Sequence, residues 1–362
     1  MSGRFITPLG AVGVAVTVIA ILVASYFLAM TPGSQLGDDL VKSVEPAADR
    51  EQVGYTLPDG RSAGDIGADL ERLGVIDSGV QFEFLVSLMG IQHQLSTGDY
   101  LLKKNSSIVS VVTELTVQEQ VPVLKVTFPE GIRIEEMALI AEKAGFGSRE
   151  SFLAATKTAE LPPAFAAAFP AGATLQGYLF PDTYIMPVGS TPEDLIAYML
   201  RTLDLRFSPE LRAAAESRGL DTHEALTLAS IVEREAVVAS ERPRIAGVFY
   251  NRLAAGDMLG ADPTVQYAVS LVATSVETFG YWKKELTLED LEIDSPYNTR
   301  KFPGLPPAPI ANPGLASIEA VANPEQTDFY YFVADAKVGD GSHVFAVTLG
   351  EHERNIQLYG AP

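Results

Sequence analysis

The longest apolar run of the chain lies at its N-terminus. No charged residue occurs from Phe5 to Gly37, and residues 5–30 are almost wholly apolar. A helix over this run would extend for about 39 Å, which exceeds the roughly 30 Å of a bilayer's hydrocarbon core. The run is also longer than the apolar part of a cleaved secretory signal. The pattern therefore predicts an uncleaved transmembrane signal anchor at 5–30.

The charges that flank this run predict its orientation. Arg4 precedes the run, whereas Asp38 and Asp39 follow it. Positive charge favours the cytoplasmic side, so we expect the N-terminus inside and the rest of the chain outside the cytoplasmic membrane. Residues 31–50 contain Pro, Gly, Ser and charged residues, a composition typical of a solvated tether.

Residues 51–118 have the pattern of a small α+β module. The pattern predicts, in order, a strand at Val53–Leu57, a helix capped by Ser62 and ending at Gly74, a helix at Val80–Met89, a strand at Gly98–Leu102 and a helix at Ser107–Leu115. The module is too small for a large active site. A spacer that only positions the following domain is an alternative interpretation.

Residues 121–362 have the pattern of a larger α+β domain. The predicted elements are a strand at Val123–Phe128, a helix carrying Ile134, Met137, Ile140 and Ala141, Ala/Phe-rich helices as far as Phe169, a loop-rich stretch at Leu175–Pro187, helices at Pro192–Phe207 and Thr222–Val238, an extended Pro-rich loop at Ser295–Leu315, strands at Phe329–Val333 and His343–Val347, and a closing helix at Leu349–Tyr359. The fold class is therefore α+β.

A helical wheel of Thr222–Val238 selects one carboxyl group. Glu235 falls within the apolar stripe, between Leu228 and Ile231, whereas Glu233 lies at its margin and Arg234 on the opposite, solvent side. Burial among apolar side chains favours the protonated form of a carboxyl, which makes Glu235 a candidate general acid. A partly exposed Glu at a helix end is the alternative that geometry alone leaves open.

Composition and motifs exclude several classes of function. The chain has 26 Lys+Arg against 46 Asp+Glu, a net charge of −20, and no Cys. An acidic chain without a basic cluster is a poor candidate for nucleic-acid binding. Thiolate zinc sites and Cys nucleophiles are excluded, and the four His have no metal-ligand spacing. These residues therefore give no sign of a metal site.

Two segments combine aromatic and polar residues, as sugar-binding sites do. They are residues 177–184, which read GYLFPDTY, and residues 297–299, which read YNT. Pyranose rings present apolar faces to aromatic rings and hydroxyl edges to amides and carboxylates. Turn or core roles would explain each segment equally well.

Several segments together resemble the endolytic murein transglycosylase (YceG-like) family. The segments are LQGYLFPDTY at 175–184, ASIVERE at 229–235, DPTV at 262–265, SPYNT at 295–299, GLPP at 304–307, PIANPG at 309–314 and YFVAD at 331–335. They occur in the family's order. Three positions depart from the family's usual residues: Gln176 replaces Glu, Ala236 replaces Thr, and Arg300 replaces Tyr.

The resemblance implies a single-pass protein of the bacterial cytoplasmic membrane, with a LysM-like module ahead of the catalytic domain. It places the family's catalytic Glu at Glu235, the residue that the helical wheel selects. The residues that it implies for substrate binding are Tyr178, Asp182, Thr183, Glu233, Asp262, Tyr297, Asn298 and Thr299. It further implies cleavage of MurNAc–GlcNAc bonds within nascent glycan strands of peptidoglycan.

The implied reaction is a lytic transglycosylation that needs one acid–base residue. Glu235 protonates the glycosidic oxygen, and its carboxylate then takes the proton of the MurNAc C6 hydroxyl as this closes onto C1 in a 1,6-anhydro ring. Glycan polymerases are possible protein partners. The alternative from another class is a non-enzymatic, membrane-anchored glycan-binding or scaffold protein of the wall-synthesis machinery.

Overall fold

The computed structural model describes residues 51–116 and 122–360, which divide into two compact units. Unit 1 comprises, of these residues, 51–116, 122–125 and Ile185–Val188, and unit 2 comprises Val126–Tyr184 and 189–360. The predicted anchor at 5–30 and tether at 31–50 lie outside the described residues. Within the described part of the chain, no helix is both long and apolar enough to span a bilayer.

Unit 1 has a β-α-α-β-α order. Its elements are β1 (Gln52–Leu57), α1 (Ala63–Arg72), α2 (Gly79–Met89), β2 (Gly98–Lys103) and α3 (Ile108–Thr116), with a short 3₁₀ turn at Gln92–Gln94. β1 and β2 pair antiparallel, with Tyr55 opposite Tyr100. The hydroxyl of Ser62 accepts a hydrogen bond from the Asp65 amide at 3.1 Å, which caps α1 as the sequence predicts. All five predicted elements are present, with ends that differ by at most two residues.

Two glycines allow the helices of unit 1 to approach closely. A Cβ at Gly67 of α1 would overlap the Gly79 carbonyl of α2, and a Cβ at Gly79 would overlap the Gly67 backbone. The contact places Leu70, Phe82 and Val86 in one core with the strands, each with no exposed surface. The backbone contact between the two glycines therefore sets the spacing of α1 and α2.

Unit 2 is mainly helical. Its helices are α4 (Ile134–Lys143), α5 (Arg149–Ala155), α6 (Pro163–Ala166), α7 (Pro192–Arg206), α8 (Pro209–Glu216), α9 (Thr222–Glu235), α10 (Arg242–Ala255), α11 (Asp262–Ser270), α12 (Ala273–Phe279), α13 (Leu288–Leu291), α14 (Leu315–Ala322) and α15 (Leu349–Tyr359). The strands β3 (Val123–Thr127) and β4 (Thr183–Pro187) pair with each other, and each is divided between the two units, since residues 123–125 and 185–187 belong to unit 1. β5 (Tyr331–Ala334) and β6 (His343–Ala346) form an antiparallel hairpin that α15 packs against.

Helix α9 is the centre of unit 2. Asp221 and Glu224 form a capping box at its start, and residues 225–232 are buried on every side rather than along one stripe. Helices α8, α10, α11 and α14 pack around it. Polar residues tolerate this burial because the hydroxyls of Thr227 and Ser230 donate to carbonyls of α9 itself. The surrounding helices hold α9, and therefore its last residue, in a rigid position.

The Pro-rich segment at 295–314 is extended, as predicted, and buried side chains satisfy its backbone. The side-chain oxygen of Asn312 accepts from the amides of Gly177 at 2.9 Å and Leu179 at 3.1 Å, and its NH₂ donates to the Ile132 carbonyl at 3.0 Å. The Ser230 hydroxyl accepts from the Ile310 amide at 3.0 Å. Three stretches of chain distant in sequence are thus held together at Asn312.

Gly177 shows how tightly this segment is packed. Its φ is +89°, and a Cβ there would overlap the ring of Pro309. Only glycine combines that backbone conformation with so close a neighbour.

Several predicted elements differ from the structure. The helix predicted at Thr222–Val238 ends at Glu235, because Ala236 is extended and two β-branched valines follow. The stretch predicted as loop-rich at Leu175–Pro187 ends in strand β4, and the Ala/Phe-rich region is helical only in α5 and α6. The pattern did not predict α8 or α10–α14. These helices are short, or are buried on more than one side, so a single amphipathic stripe does not mark them.

We predict that Gly67→Ala destabilises unit 1 by about 1–3 kcal/mol, because the new methyl group meets the α2 backbone. Gly64→Ala is the matched control. It lies on the same helix, and its methyl group would contact only the flexible carboxylate of Glu83. Native-state hydrogen exchange of the α1 and α2 amides in the full chain measures the difference. Equal protection in both variants would contradict the close-contact argument.

We predict that Asn312→Ala destabilises unit 2 by about 2 kcal/mol or more, because it leaves the buried amides of Gly177 and Leu179 without partners and removes one of the two hydrogen bonds to the Ile132 carbonyl. Asn355→Ala is the control, since that amide makes one long hydrogen bond of 3.5 Å. Urea unfolding monitored by Trp282 fluorescence measures both variants. A loss below about 1 kcal/mol for Asn312→Ala would show that other groups satisfy the segment.

Candidate active site

Glu235 is the last residue of α9 and its side chain is only partly exposed. Burial is the main cause that raises the pKa of Glu235 from 4.5 to about 8, and the nearby charge of Asp262 also contributes to the rise. Arg300, Arg252 and Arg234 act in the opposite direction but do not cancel it. No donor in the described residues hydrogen-bonds to the carboxyl, so its ionised form gains only the Coulomb attraction of these arginines. The group is therefore protonated at neutral pH.

Asp262 and Arg300 form an ion pair beside Glu235. Nε and Nη2 of Arg300 both lie 2.6 Å from Oδ1 of Asp262, and the two side chains are 41% and 53% exposed, respectively. A buried network fixes the backbone under the pair. The Thr299 hydroxyl accepts from the Ala261 amide at 3.1 Å and lies 2.8 Å from the Thr264 hydroxyl. The start of α11 and the 298–300 stretch are thereby joined.

Arg252 and Arg234, which also act on Glu235, are both engaged by the protein. Arg252 donates to the carbonyls of Tyr330 and Leu259 and lies over the Tyr331 ring. Arg234 lies 3.8 Å from the centroid of the Trp282 ring and donates to a backbone carbonyl. The helical wheel placed Arg234 on the solvent side. The structure instead half-buries it, because Trp282 covers that face of the helix end.

Glu233 has a different environment from Glu235. Its Oε2 accepts from the Gly314 amide at 3.0 Å and the Ser317 hydroxyl at 2.7 Å, and its Oε1 pairs with Arg242 at 3.2 Å. The side chain is 6% exposed. Glu233 thus ties the end of α9 to the starts of α10 and α14. The carboxylate of Glu130 also lies next to Gly314. Partial burial raises the pKa of Glu130, and the nearby Glu233 raises it as well.

The ring of Tyr297 belongs to an aromatic cluster. It lies 4.7 Å from the Tyr267 ring, centroid to centroid, and the guanidinium of Arg133 lies 4.4 Å from the Tyr267 centroid. Arg133 is 2% exposed and is held by Glu135 and Ser270. Tyr297 is itself partly exposed. Arg133 holds the Tyr267 ring and the Tyr297 ring packs against Tyr267, so Tyr297 presents a well-positioned aromatic surface.

The remaining predicted residues are divided between the interior and the surface. The side chains of Tyr178, Asn298 and Thr299 are fully buried, and each hydrogen-bonds to the protein. Asp182 and Thr183 are accessible. The Asp182 side chain pairs with Arg206 at 3.4 Å, and Thr183 contacts the Thr127 hydroxyl at 2.8 Å.

The site therefore brings together only some of the predicted residues. The charges of Asp262 and Arg300 shift the pKa of Glu235. The charges of Asp182 and Glu233 instead raise the pKa of Glu130. The sequence analysis did not select Arg252, Arg133 or Tyr267 as contributors. The partners that hold them, such as Ser270, Tyr330 and Tyr297, are distant in sequence, so no local signal identifies them.

Gln176 and Ala236, which depart from the usual family residues, have structural explanations. The Gln176 side-chain oxygen accepts from the Ile134 amide at 3.0 Å, at the start of α4. A glutamate carboxylate could make the same contact, so the amide supplies the acceptor that the position needs. Ala236 is buried after the helix end. Neither position makes a direct contact with Glu235 through a polar side chain.

No metal-binding geometry is found in the residues that the structure describes. No group of three or more His, Asp or Glu side chains in them could hold a metal ion. His223 bonds to Tyr178 and the Pro307 carbonyl, and His343 bonds to Glu241. What the site offers chemically is one protonated carboxyl beside an arginine–aspartate pair.

The chain is similar to proteins of one family over most of its length. A sequence model of the YceG-like family matches residues 55–358. An endolytic murein transglycosylase of Bacillus subtilis (strain 168) is 32% identical over 336 residues, 89% of each chain. Another, from Streptococcus pneumoniae serotype 2 (strain D39), is 33% identical over 332 residues. That alignment spans 86% of this chain but 59% of the relative.

A solved structure shares the fold. The crystal structure of a YceG-like protein from Listeria monocytogenes is 32% identical in sequence, with a TM-score of 0.53. It aligns with 84% of this chain and 99% of its own. Together with the family match over residues 55–358, these similarities show that the chain belongs to the YceG-like family.

Proposed function

We propose that this protein is an endolytic lytic transglycosylase, a lyase that cleaves MurNAc–GlcNAc bonds within nascent glycan strands of peptidoglycan. The observation that carries the proposal is Glu235, a carboxyl that is protonated at neutral pH yet partly accessible. The names of the Bacillus and Streptococcus relatives support it. Termination of strand elongation with 1,6-anhydroMurNAc ends would follow from the reaction.

Glu235 would act twice in the reaction. Its proton passes to the glycosidic oxygen as the bond from C1 breaks, and the sugar gains oxocarbenium character. The carboxylate then removes the proton of the MurNAc C6 hydroxyl, whose oxygen forms the new bond to C1. The proton lost in the first half-reaction is thus regained in the second, and no water is consumed. The internal nucleophile removes the need for a second catalytic carboxylate.

The accessible predicted residues are those we assign to direct substrate contact: Asp182, Thr183, Asp262 and Tyr297. The rigid ring of Tyr297 suits the apolar face of a sugar. The buried ones, Tyr178, Glu233, Asn298 and Thr299, would act on substrate only through the residues that they position.

The predicted anchor and orientation complete the proposal. An N-terminal helix at 5–30, with the N-terminus inside, would hold the catalytic unit on the outer side of the bacterial cytoplasmic membrane, where nascent strands are made. A LysM-like role for unit 1 and an association with glycan polymerases belong to the same proposal. No cofactor takes part in it.

We predict that Glu235→Gln reduces release of anhydro ends by about 10²–10⁴-fold or more, because the amide cannot donate the proton to the leaving oxygen. Glu233→Gln makes the same change two residues earlier on the same helix. It weakens the pair with Arg242, so we expect a lower unfolding temperature but substantial activity in the folded protein. Mass spectrometry of digested glycan strands measures the ends, and circular dichroism measures unfolding.

Near-normal release by Glu235→Gln would contradict the assignment of the acid. Binding of strands by the unaltered protein without any anhydro ends would instead favour the non-enzymatic glycan-binding alternative.

We predict that kcat/KM falls as the pH rises through about 8, since Glu235 must be protonated in the free enzyme.

The stability of the folded protein should also fall as the pH rises. The pKa of Glu235 is about 8 in the folded state and 4.5 in the unfolded chain, so the folded state holds the proton more tightly. The stability gained from this proton is complete below pH 4.5 and is lost between pH 4.5 and 8. Unfolding temperatures from pH 4 to 9 should show this loss in the unaltered protein and not in Glu235→Gln. If the unfolding temperatures of the unaltered protein and of Glu235→Gln changed with pH in the same way, the raised pKa of Glu235 would be contradicted.

A further inference from the structure

Three arginines surround an acid that works only when it is protonated. Arg300, Arg252 and Arg234 each lower the pKa of Glu235, whereas the charge of Asp262 raises it. Cations at this place oppose the acid, so their presence calls for another explanation.

Two of the three arginines are explained by the fold. Arg252 bonds to the carbonyls of Tyr330 and Leu259 and stacks on a tyrosine, and Arg234 is covered by Trp282. Burial lowers the pKa of both guanidinium groups. Neither is presented to a ligand.

Arg300 is different, because its guanidinium is positioned but not enclosed. Its amide donates to the side-chain oxygen of Asn298 at 3.0 Å, and Thr299 anchors the neighbouring backbone. Asp262 takes Nε and Nη2 through a single oxygen, Oδ1. Among the described residues nothing bonds to Nη1, and the side chain remains 41% exposed. Arg300 thus offers oriented donors and positive charge beside the proposed acid.

We infer that Arg300 binds a carboxylate of the glycan substrate next to the bond to be cleaved. The inference rests on the proposed function and adds a determinant of substrate specificity to it. Peptidoglycan supplies carboxylates from two sources, the stem peptides and the MurNAc lactyl group that is exposed where a stem has been removed. A bound carboxylate would offset the charge of Arg300, so the substrate itself would favour the protonated state of Glu235.

The experiment compares the full-length enzyme with Arg300→Gln on four substrates. These are strands with stems, strands freed of stems by an amidase, and both kinds after carbodiimide coupling to ammonia, which converts carboxylates to neutral amides. Arg300→Gln should raise KM by about 5- to 20-fold on the strands whose carboxylate it recognises, and should leave the amidated strands unaffected. The comparison of stem-bearing and stem-free strands identifies the source.

Lys301→Gln is the matched control, because it removes a neighbouring partly exposed cation that pairs with Asp294. It should leave all KM values unchanged. Arg300→Lys keeps the charge but not the planar set of donors, and should lie between the unaltered protein and Arg300→Gln. Equal losses for Arg300→Gln on charged and amidated strands would overturn the inference, since they indicate a structural role. No change on either would also overturn it.

Calorimetric binding of the same strands separates this inference from the proposed function. An enzyme that releases no anhydro ends, yet binds charged strands more tightly than amidated ones in a way that Arg300→Gln abolishes, would refute the reaction and retain the carboxylate site. Anhydro-end release with identical affinity for charged and amidated strands would do the reverse.

Discussion

The segment at 295–314 is packed into unit 2 without strands or helices of its own, and its backbone groups must still find partners. Side chains supply them. The hydroxyl of Ser230 accepts from the Ile310 amide, and the carboxylate of Glu233 accepts from the Gly314 amide. The Asn312 side chain of the segment bonds in turn to the backbone of Gly177, Leu179 and Ile132. These contacts join the segment to α9, to the loop at 177–179 and to the stretch before α4. The position of Glu235 therefore depends on a set of buried polar contacts rather than on apolar packing alone.

Two glutamates two residues apart acquire opposite characters from this arrangement. Glu233 turns toward donors and a cation, which suit an ionised carboxylate. Glu235 turns toward a setting with no donor from the described residues, where burial and Asp262 hold the proton on the carboxyl. The same helix end thus provides a structural anion and a neutral acid. Glu233 also fixes the position of Glu235, because its contacts hold the helix turn that carries both residues.

The sequence predicted the elements of unit 1 well because they are local. Ser62 caps α1 through a contact three residues away, and the strands alternate in a two-residue period. In unit 2, prediction was weaker. The apolar pattern predicted α9 as a helix with one buried stripe. It could not show that the helix is buried on every side or that Trp282 covers Arg234. Trp282 and Arg234 are 48 positions apart in the chain, and contacts over such separations leave no periodic signal in the sequence.

By itself, the sequence determined the class of fold, the order of the motifs and the choice of Glu235, since an apolar stripe and a family pattern are properties of neighbouring residues. Only the tertiary structure decided which motif residues are accessible. Tyr178, Asn298 and Thr299 are enclosed, whereas Tyr297 and Asp262 remain accessible, although all five belong to equally distinctive motifs. It also brought Arg300 and Asp262 beside Glu235. The physical reason is that burial and Coulomb interactions depend on distance in space, which the order of residues along a chain does not specify.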